Sequence, residues 1–180
     1  MKKYLPIVWV LLRFLVVYII LVAIYQIYLN YYNETLKTCD PFTEFMACQC
    51  KFLLDVFGYN TQVVQVGQEP SVWLFFNNTY VSKVTEGCNA ISVMILFVAF
   101  MIGFYEGIRK TSLYIVLGIL LIHFSNVIRG SFISYVYYKF PQYSVWVHDY
   151  IFPAIIYAVV ISLWLYWMKY IVLKDEEKTN

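Results

Sequence analysis

Four long runs of apolar residues dominate the chain, and shorter segments rich in polar and turn-forming residues separate them. A helix that crosses a bilayer needs about 20 mostly apolar residues. By this criterion the pattern predicts four transmembrane helices, at about residues 5–29, 89–105, 113–138 and 151–173. The first run is too long for the apolar part of a signal peptide and lacks a small-residue cleavage site, so we expect it to be retained.

The segment of residues 30–87, between the first two predicted spans, has a pattern of its own. Asp40 followed by Pro41 is typical of a helix start, and Gly58 is a plausible helix end. Between them we place an apolar stripe at Phe42, Phe45, Met46, Phe52, Leu53, Val56 and Phe57, and a polar face at Glu44, Lys51 and Asp55. This pattern predicts an amphipathic helix that lies on the membrane surface or docks on the spans.

Three short segments rich in β-branched and aromatic residues follow, at residues 61–66, 71–76 and 79–84. Turn-forming residues separate them, which predicts a small outer β-hairpin or a three-stranded element. The predicted fold is therefore an all-α integral membrane protein, one membrane domain over residues 1–180, with an outer amphipathic helix and a small β element.

Composition supports this class. Hydrophobic residues make up 62% of the chain and charged residues only 13%, against about 25% charged residues in an ordinary soluble domain. Such a chain is too apolar for a disordered protein or a small soluble globule. The net charge of +2, without a basic patch interleaved with aromatic residues, argues against nucleic acid as a partner.

Lysine and arginine in short loops set the orientation of a membrane protein. With the N-terminus inside, the cytoplasmic side carries Lys2, Lys3, Arg109, Lys110, Lys169, Lys174 and Lys178. The outer side then carries Lys37, Lys51, Lys83 and Lys139. We therefore expect both termini in the cytoplasm, and residues 30–87 and 139–150 outside.

Three residues suited to catalysis fall near the outer ends of predicted spans. Arg129 lies roughly 24 Å along the third span, just below the outer surface, with Asn126 on the same helix face. Cys88 opens the second span, where helix-end amides favour a thiolate and can receive an oxyanion. His148, followed by Asp149, lies in the second outer loop. A nucleophile, a base and a cationic clamp at one surface are what an acyl-transfer site needs.

Each of these residues also has a structural interpretation. Arg129 could reach the outer headgroups with its long side chain, Cys88 could be a small buried hydrophobic residue, and a lone histidine in a loop such as His148 is usually ordinary. His123, near the membrane midplane, has no second histidine at its depth, so a haem site is not expected. Arg13 has no evident partner and is interpreted as structural.

The remaining cysteines, Cys39, Cys48 and Cys50, lie in the outer loop. Two of them could be bridged in an oxidising compartment, and the sequence does not choose which. Cys48 and Cys50 point in different directions on a helix, which argues against a bridge between them. A zinc site is not expected, because no second cluster of cysteine and histidine completes it.

Three motifs resemble those of the exosortase/archaeosortase family. Glu86–Ser92, around Cys88, resembles its cysteine motif, Asn126-Val127-Ile128-Arg129 resembles its Asn-x-x-Arg motif, and His148–Pro153 resembles its histidine motif. They occur in the family's order and cover about residues 80–160. The short length resembles the exosortase F subgroup of Bacteroidota.

The resemblance implies a membrane cysteine protease or transpeptidase of the bacterial inner membrane, with no metal or cofactor. Such an enzyme cleaves a C-terminal sorting signal of exported proteins at the outer face, where the signal consists of a short motif, a spanning helix and a basic tail. It then transfers the product to an acceptor or to water. The resemblance makes Cys88 the nucleophile, His148 the general acid and base, and Arg129 the oxyanion or substrate clamp. The supporting residues are Asn126, Asn89 and Asp149.

The chain departs from many family members at Asn89-Ala90 and at Phe152-Pro153, and in having fewer spans. A substrate helix would pack laterally through close contacts, for which the candidate positions are Gly103, Gly107, Gly118 and Gly130. The alternative class is a non-enzymatic membrane scaffold or assembly subunit, in which Cys88, Arg129 and His148 are incidental. A channel or transporter is not expected, because the spans carry too few polar residues to line a path.

Overall fold

The computed structural model describes residues 5–67 and 69–172. Its helices are α1 (Leu5–Asn30), α2 (Pro41–Val56), α3 (Ile91–Gly103), α4 (Ile108–Lys139), α5 (Ser144–Trp146) and α6 (Phe152–Trp167). Its strands are β1 (Thr61–Gln65), β2 (Ser71–Phe76) and β3 (Thr79–Thr85). The predicted combination of long apolar helices with a small β element is confirmed.

Three helical segments are long and apolar enough to cross a membrane, at Ile7–Leu36, Ile108–Lys139 and Pro141–Tyr170. They correspond to the first, third and fourth predicted spans. The second predicted span, residues 89–105, is helical only over α3, whose 13 residues fall short of the length that a full crossing needs. The structure is thus compatible with a membrane protein that has three candidate spans, and a fourth span is not confirmed.

The segment that joins α4 to α6 differs from the prediction. Residues 139–150 were expected to form a loop, but the chain turns helical again at Pro141. A 3₁₀ turn at Pro141–Tyr143 leads into α5 and then into a π-helical turn at Val147–Ile151, which continues into α6. The segment contains no glycine, and Pro141 occupies the first turn, where its missing N–H is not needed. These features favour a continuous helical path over a loop.

The start of α2 is as predicted. Asp40 caps the helix by accepting a hydrogen bond from the backbone N–H of Thr43 at 3.1 Å, and Pro41 occupies the first helical position. The helix ends at Val56, and Gly58 follows with φ +87°.

The predicted apolar stripe of α2 is only partly buried. The side chains that the helix buries are Thr43, Met46, Ala47, Cys50 and Leu54. Four members of the predicted stripe, Phe45, Phe52, Val56 and Phe57, are exposed instead. The apolar surface of α2 is wider than one packing contact, and periodicity alone does not show which part of it meets the protein core.

The strands form one antiparallel sheet in the order β1-β2-β3. The turn between β2 and β3 places Asn77 and Asn78 at φ +48° and +65°, the left-handed conformation that asparagine tolerates in tight hairpins. Val72, Leu74 and Phe76 alternate along β2 into the buried core. That core also contains buried residues of α2 and of the C-terminal half of α4, so the sheet, α2 and α4 share one apolar centre.

The described chain divides into two compact units. One contains residues 5–25, 91–122 and 157–172. Within it, the Tyr114 hydroxyl donates to the Leu163 carbonyl at 2.8 Å, and Trp167 Nε1 donates to the Phe104 carbonyl at 3.0 Å. The other unit contains residues 26–90 and 123–156, which include α2, the sheet and every predicted site residue.

The glycines predicted to allow close approach fall into two groups. A Cβ at Gly103 would lie 3.1 Å from the Cβ of Phe14, and a Cβ at Gly118 would collide with the ring of Phe97. Side chains of the chain itself therefore occupy these positions. Gly107 is not a point of close approach, since nothing lies within 4 Å of an added Cβ; its φ of +89° instead forms the turn before α4.

We expect Gly130→Ala to destabilise the protein. An added Cβ would lie 2.7 Å from Met46 Cε and 2.8 Å from Cys50 Sγ, so these two side chains, or α2 with them, would have to shift. Overpacking of this kind lowers the free energy of unfolding by about 1–3 kcal/mol. Thermal melts of the detergent-solubilised protein measure the effect, and Gly67→Ala, where nothing lies within 4 Å, is the matched control. Equal midpoints for the two variants would contradict a tight contact between α2 and α4.

Candidate active site

Cys88 ends the short 3₁₀ turn Glu86–Cys88, which joins β3 to α3. The prediction that Cys88 opens the helix is wrong, because α3 begins only at Ile91. Ala90 adopts φ +61°, a left-handed conformation that turns the chain before the helix starts. The effect of a helix dipole falls off within the first turn, so the position of Cys88 three residues earlier weakens the argument from the helix end.

Asn126 of α4 holds both the backbone of Cys88 and the side chain of Arg129. Its Nδ2 donates to the Cys88 carbonyl at 2.7 Å, and its Oδ1 accepts from Arg129 Nη1 at 3.0 Å. The side chain is completely buried. Spacing of three residues puts Asn126 and Arg129 on one helix face. The side-chain amide of Asn126 therefore connects the turn before α3 to the cation on α4.

Asn89, the second predicted supporting residue, contacts α2. It is buried, and its Nδ2 donates to the Thr43 hydroxyl at 2.9 Å. Thr43 belongs to the first turn of α2, so this hydrogen bond fixes the residue after Cys88 to that helix.

Arg129 is a partly buried cation whose guanidinium donates to a neutral amide. Its guanidinium carbon lies 5.9 Å from the centroid of the Phe152 ring, within the range of a cation–π contact. Its Nε is buried and has no hydrogen-bond partner among the described residues. No carboxylate within residues 5–67 and 69–172 forms an ion pair with Arg129. A cation in this state favours a nearby anion, or an oxygen that gains negative charge during a reaction.

His148 lies in the π-helical turn before α6 and pairs with its neighbour. Its Nδ1 is 2.8 Å from Asp149 Oδ1, and both side chains are about half exposed. A carboxylate can only accept a hydrogen bond, so a neutral His148 carries its proton on Nδ1. Nε2 is then the basic nitrogen, the arrangement that a catalytic histidine oriented by an aspartate uses.

Cys88, Arg129 and His148 line one cavity of about 420 Å³, here called the Cys88 cavity. Consecutive residues 80–85 of β3 form one of its walls, and the remaining lining residues are Met46, Gly130, Ile133, Ser134 and Tyr137. Lys83 and Arg129 bring two positive charges to the lining, to which the described part of the chain contributes no aspartate or glutamate. The cavity therefore suits a neutral or anionic group better than a cationic one.

Cys88, Arg129 and His148 surround a common space without touching one another through hydrogen bonds. The Cys88 sulfur lies 3.8 Å from the Thr85 hydroxyl, and the described residues give it no hydrogen bond to Arg129 or His148. Catalytic hydrogen bonds are often long before substrate binds. A reacting group in the cavity would lie between the thiol, the imidazole and the guanidinium.

Several polar lining residues were not foreseen from the sequence, among them Tyr137 and Lys83. Tyr137 extends the face of Arg129 by two helical turns, through Ile133 at four-residue spacing, so continuing that face along α4 would have found it. Lys83 gave no such signal, because it sits on a strand whose position against α4 depends on a non-local contact. That contact is the 3.0 Å hydrogen bond between the Ser82 and Ser134 hydroxyls.

The four cysteines are all free thiols in very different surroundings. Cys48 is exposed and Cys88 is partly exposed, whereas Cys39 and Cys50 are buried. Burial raises the pKa of Cys39 to about 12, and nearby acidic groups add to the shift. Burial also raises the pKa of Cys50 to about 11, although a hydrogen bond to Ser131 lowers it in part. Neither buried thiol is suited to act as a nucleophile near neutral pH.

The other candidates lie away from the cavity. His123 Nε2 is 2.6 Å from Gln49 Oε1, and its ring lies against those of Phe42 and Phe45, so it links α4 to α2. Arg13 is exposed on α1. Within the part of the chain that the structure describes, no group of three or more His, Cys, Asp or Glu side chains could hold a metal ion.

Comparison of the chain with family models, with curated proteins and with solved structures finds no match. The resemblance to exosortases therefore rests on the three sequence motifs alone.

We expect a maleimide at pH 7.5 to modify Cys48 fastest and Cys88 more slowly, and to leave Cys39 and Cys50 unmodified until the protein unfolds. Burial and raised pKa values protect the last two thiols. Peptide mass spectrometry of the detergent-solubilised protein over a time course measures the four rates, with a denatured sample as the control. Modification of Cys50 as fast as that of Cys48 would contradict the packing of α2 described above.

Proposed function

We propose that the chain is a membrane cysteine protease or transpeptidase of the exosortase type. The observation that carries this proposal is the Cys88 cavity, where Cys88, Arg129 and His148 come together from three elements far apart in sequence. A scaffold or assembly subunit has no need for a thiol, an aspartate-paired imidazole and an uncompensated guanidinium around one space. This convergence favours the enzyme over the scaffold.

The first half-reaction forms a thioester. The Cys88 thiol gives its proton to His148 Nε2 as the sulfur attacks the carbonyl carbon of the scissile peptide bond. The carbonyl π electrons move to oxygen, and Arg129 stabilises this oxyanion in a partly desolvated setting where its charge acts more strongly than in water. When the intermediate collapses, the C–N bond breaks and the leaving amine takes the proton from His148. Asp149 keeps the imidazole oriented and stabilises its charged form.

The second half-reaction releases the product. Water attacks the thioester and yields a carboxylic acid, or an acceptor amine attacks and yields a new amide. In both cases His148 takes a proton from the attacking group and returns one to the Cys88 sulfur. The substrates are exported proteins whose C-terminal signal combines a short motif, a spanning helix and a basic tail.

The proposal places the chain in a bacterial inner membrane with both termini in the cytoplasm and the cavity facing the periplasm. The three candidate spans support membrane embedding, and α3 supplies the fourth crossing. Four crossings, unlike three, bring both termini to the same side. Lys2, Lys3, Lys174 and Lys178, which favour this orientation by their charge, lie outside the described residues.

We expect Cys88→Ala to abolish processing of exported proteins while the protein still accumulates, because Cys88 is the one thiol that the described residues bring to the cavity. Cys88→Ser should be nearly as poor, since a hydroxyl has a much higher pKa than a thiol. Mass spectrometry of envelope proteins from the native host would show C-terminal spanning segments retained in the variant strains. Cys48→Ala, which removes an exposed thiol outside the cavity, is the matched control. A well-expressed Cys88→Ala protein that supports normal processing would leave the scaffold as the better interpretation.

We expect Arg129→Lys to lower the processing rate about 10²–10³-fold, the effect of removing one oxyanion donor. Lysine keeps the charge but loses the planar fork that can hold Asn126 and an oxyanion together. Pulse-chase labelling of a processed protein measures the rate. Arg13→Lys, on the exposed surface of α1, serves as the control for a general effect of the substitution. Near-normal processing by Arg129→Lys would assign Arg129 to the membrane surface rather than to catalysis.

A further inference from the structure

The circumference of α2 divides into three sectors. With 3.6 residues per turn, the buried side chains of Met46, Cys50 and Leu54 occupy one sector. The polar side chains Glu44, Lys51 and Asp55 occupy a second. The third sector is apolar and yet exposed, and its members Phe45, Phe52 and Val56 have exposed fractions of 54%, 71% and 67%.

The exposed sector lies beside α4. Near the start of α2, the Phe45 ring stacks parallel to the His123 ring with centroids 6.0 Å apart. Past the end of α2, Phe57 shares a groove of about 420 Å³ with Ile128 and Phe132. From residue 123 to residue 132, α4 rises about 14 Å. The two helices therefore run side by side over at least this distance.

The adjoining surface of α4 is also apolar and exposed. Phe124, Ile128 and Phe132 recur at four-residue spacing, with exposed fractions of 64%, 46% and 52%. On the same helix, toward its start, Leu113, Leu117 and Leu120 are exposed as well. The helix is long and apolar enough to cross a membrane, so its exposed apolar surface is suited to acyl chains. The exposed apolar sector of α2 extends the apolar surface of α4 near Phe124, Ile128 and Phe132.

The combined surface is too apolar to face water without a partner. It presents six large apolar side chains from α2 and α4, and the groove between the helices adds Leu53, Tyr59 and Tyr135 to its walls. Contiguous apolar patches larger than a few hundred Å² mark interaction sites. A helix with one polar sector and an exposed apolar sector is typical of helices that lie at the boundary between headgroups and acyl chains.

We propose that α2 is embedded in the lipid leaflet at the C-terminal end of α4, with acyl chains covering Phe45, Phe52 and Val56 and filling the groove beside Phe57. Because Met46, on the buried sector of α2, lines the Cys88 cavity, α2 then forms the wall between the bilayer and that cavity. The proposal depends only on a membrane location and not on the catalytic function.

Spin-label accessibility in a bilayer tests this. The full chain, with Cys48→Ser and Cys88→Ser to remove the two accessible thiols, is placed in nanodiscs of phosphatidylcholine and phosphatidylglycerol. One variant carries a nitroxide at Phe52→Cys, on the exposed apolar sector, and the matched control carries it at Glu44→Cys, on the polar sector. Val56→Cys repeats the first position if Phe52→Cys does not fold. Collision rates are measured with oxygen, which partitions into lipid, and with a water-soluble nickel chelate.

We expect the label at position 52 or 56 to collide with oxygen several-fold more often than with the nickel chelate, and the label at position 44 to show the reverse preference. Two results would overturn the proposal. Nickel accessibility at position 52 equal to that at position 44 would place the apolar sector in water. Protection of position 52 from both reagents would show that a protein surface, such as a second copy of the chain or a substrate helix, covers it instead of lipid.

Discussion

The arrangement of the candidate site depends on one buried amide. Asn126 donates to the Cys88 carbonyl and accepts from the Arg129 guanidinium, so it connects two groups that lie 41 positions apart in the sequence. Removing a partner from a buried polar group leaves it unsatisfied, at about 1–3 kcal/mol and more for a charged group. Without Asn126 both the carbonyl before α3 and the cation on α4 would lose their partner. Cys88 would then lose the hydrogen bond that joins its carbonyl to α4.

A second set of contacts, made by α2, fixes the residues that follow Cys88 and Arg129. Asp40 caps α2 and so fixes where the helix begins, and the adjacent Thr43 hydroxyl then accepts from Asn89. One turn farther along, Met46 packs so closely on Gly130 that α4 has no room for a side chain there. The residue after the cysteine and the residue after the arginine thus rest on the same helix. The cap at Asp40 therefore helps to position Cys88, because it fixes Thr43, which in turn holds Asn89.

Local signals in the sequence predicted local structure well, but they did not predict contacts between segments that are distant in the sequence. Asp40-Pro41 and Asn77-Asn78 have conformational preferences that act within a few residues, and the cap and the hairpin follow them. Which apolar sector of α2 becomes buried depends instead on Gly130 and on the sheet, neither of which the α2 sequence encodes. In the same way, counting positions along the spans put Cys88, Arg129 and His148 at one level. Lys83 instead lines the cavity through the non-local contact of β3 with α4, where Ser82 and Ser134 form a hydrogen bond.

The shortness of α3 follows from the same amide. From Ile108 to Asn126, α4 carries the chain about 27 Å, and Asn126 then bonds to the residue that ends the turn before α3. The return path consists of α3, about 20 Å long, and the four residues 104–107. The Phe104 N–H still donates to the Phe100 carbonyl of α3 at 3.0 Å, and Gly107, at φ +89°, makes the turn before α4. At 13 residues α3 by itself stays short of a full crossing, and a longer α3 would move Cys88 out of register with Asn126.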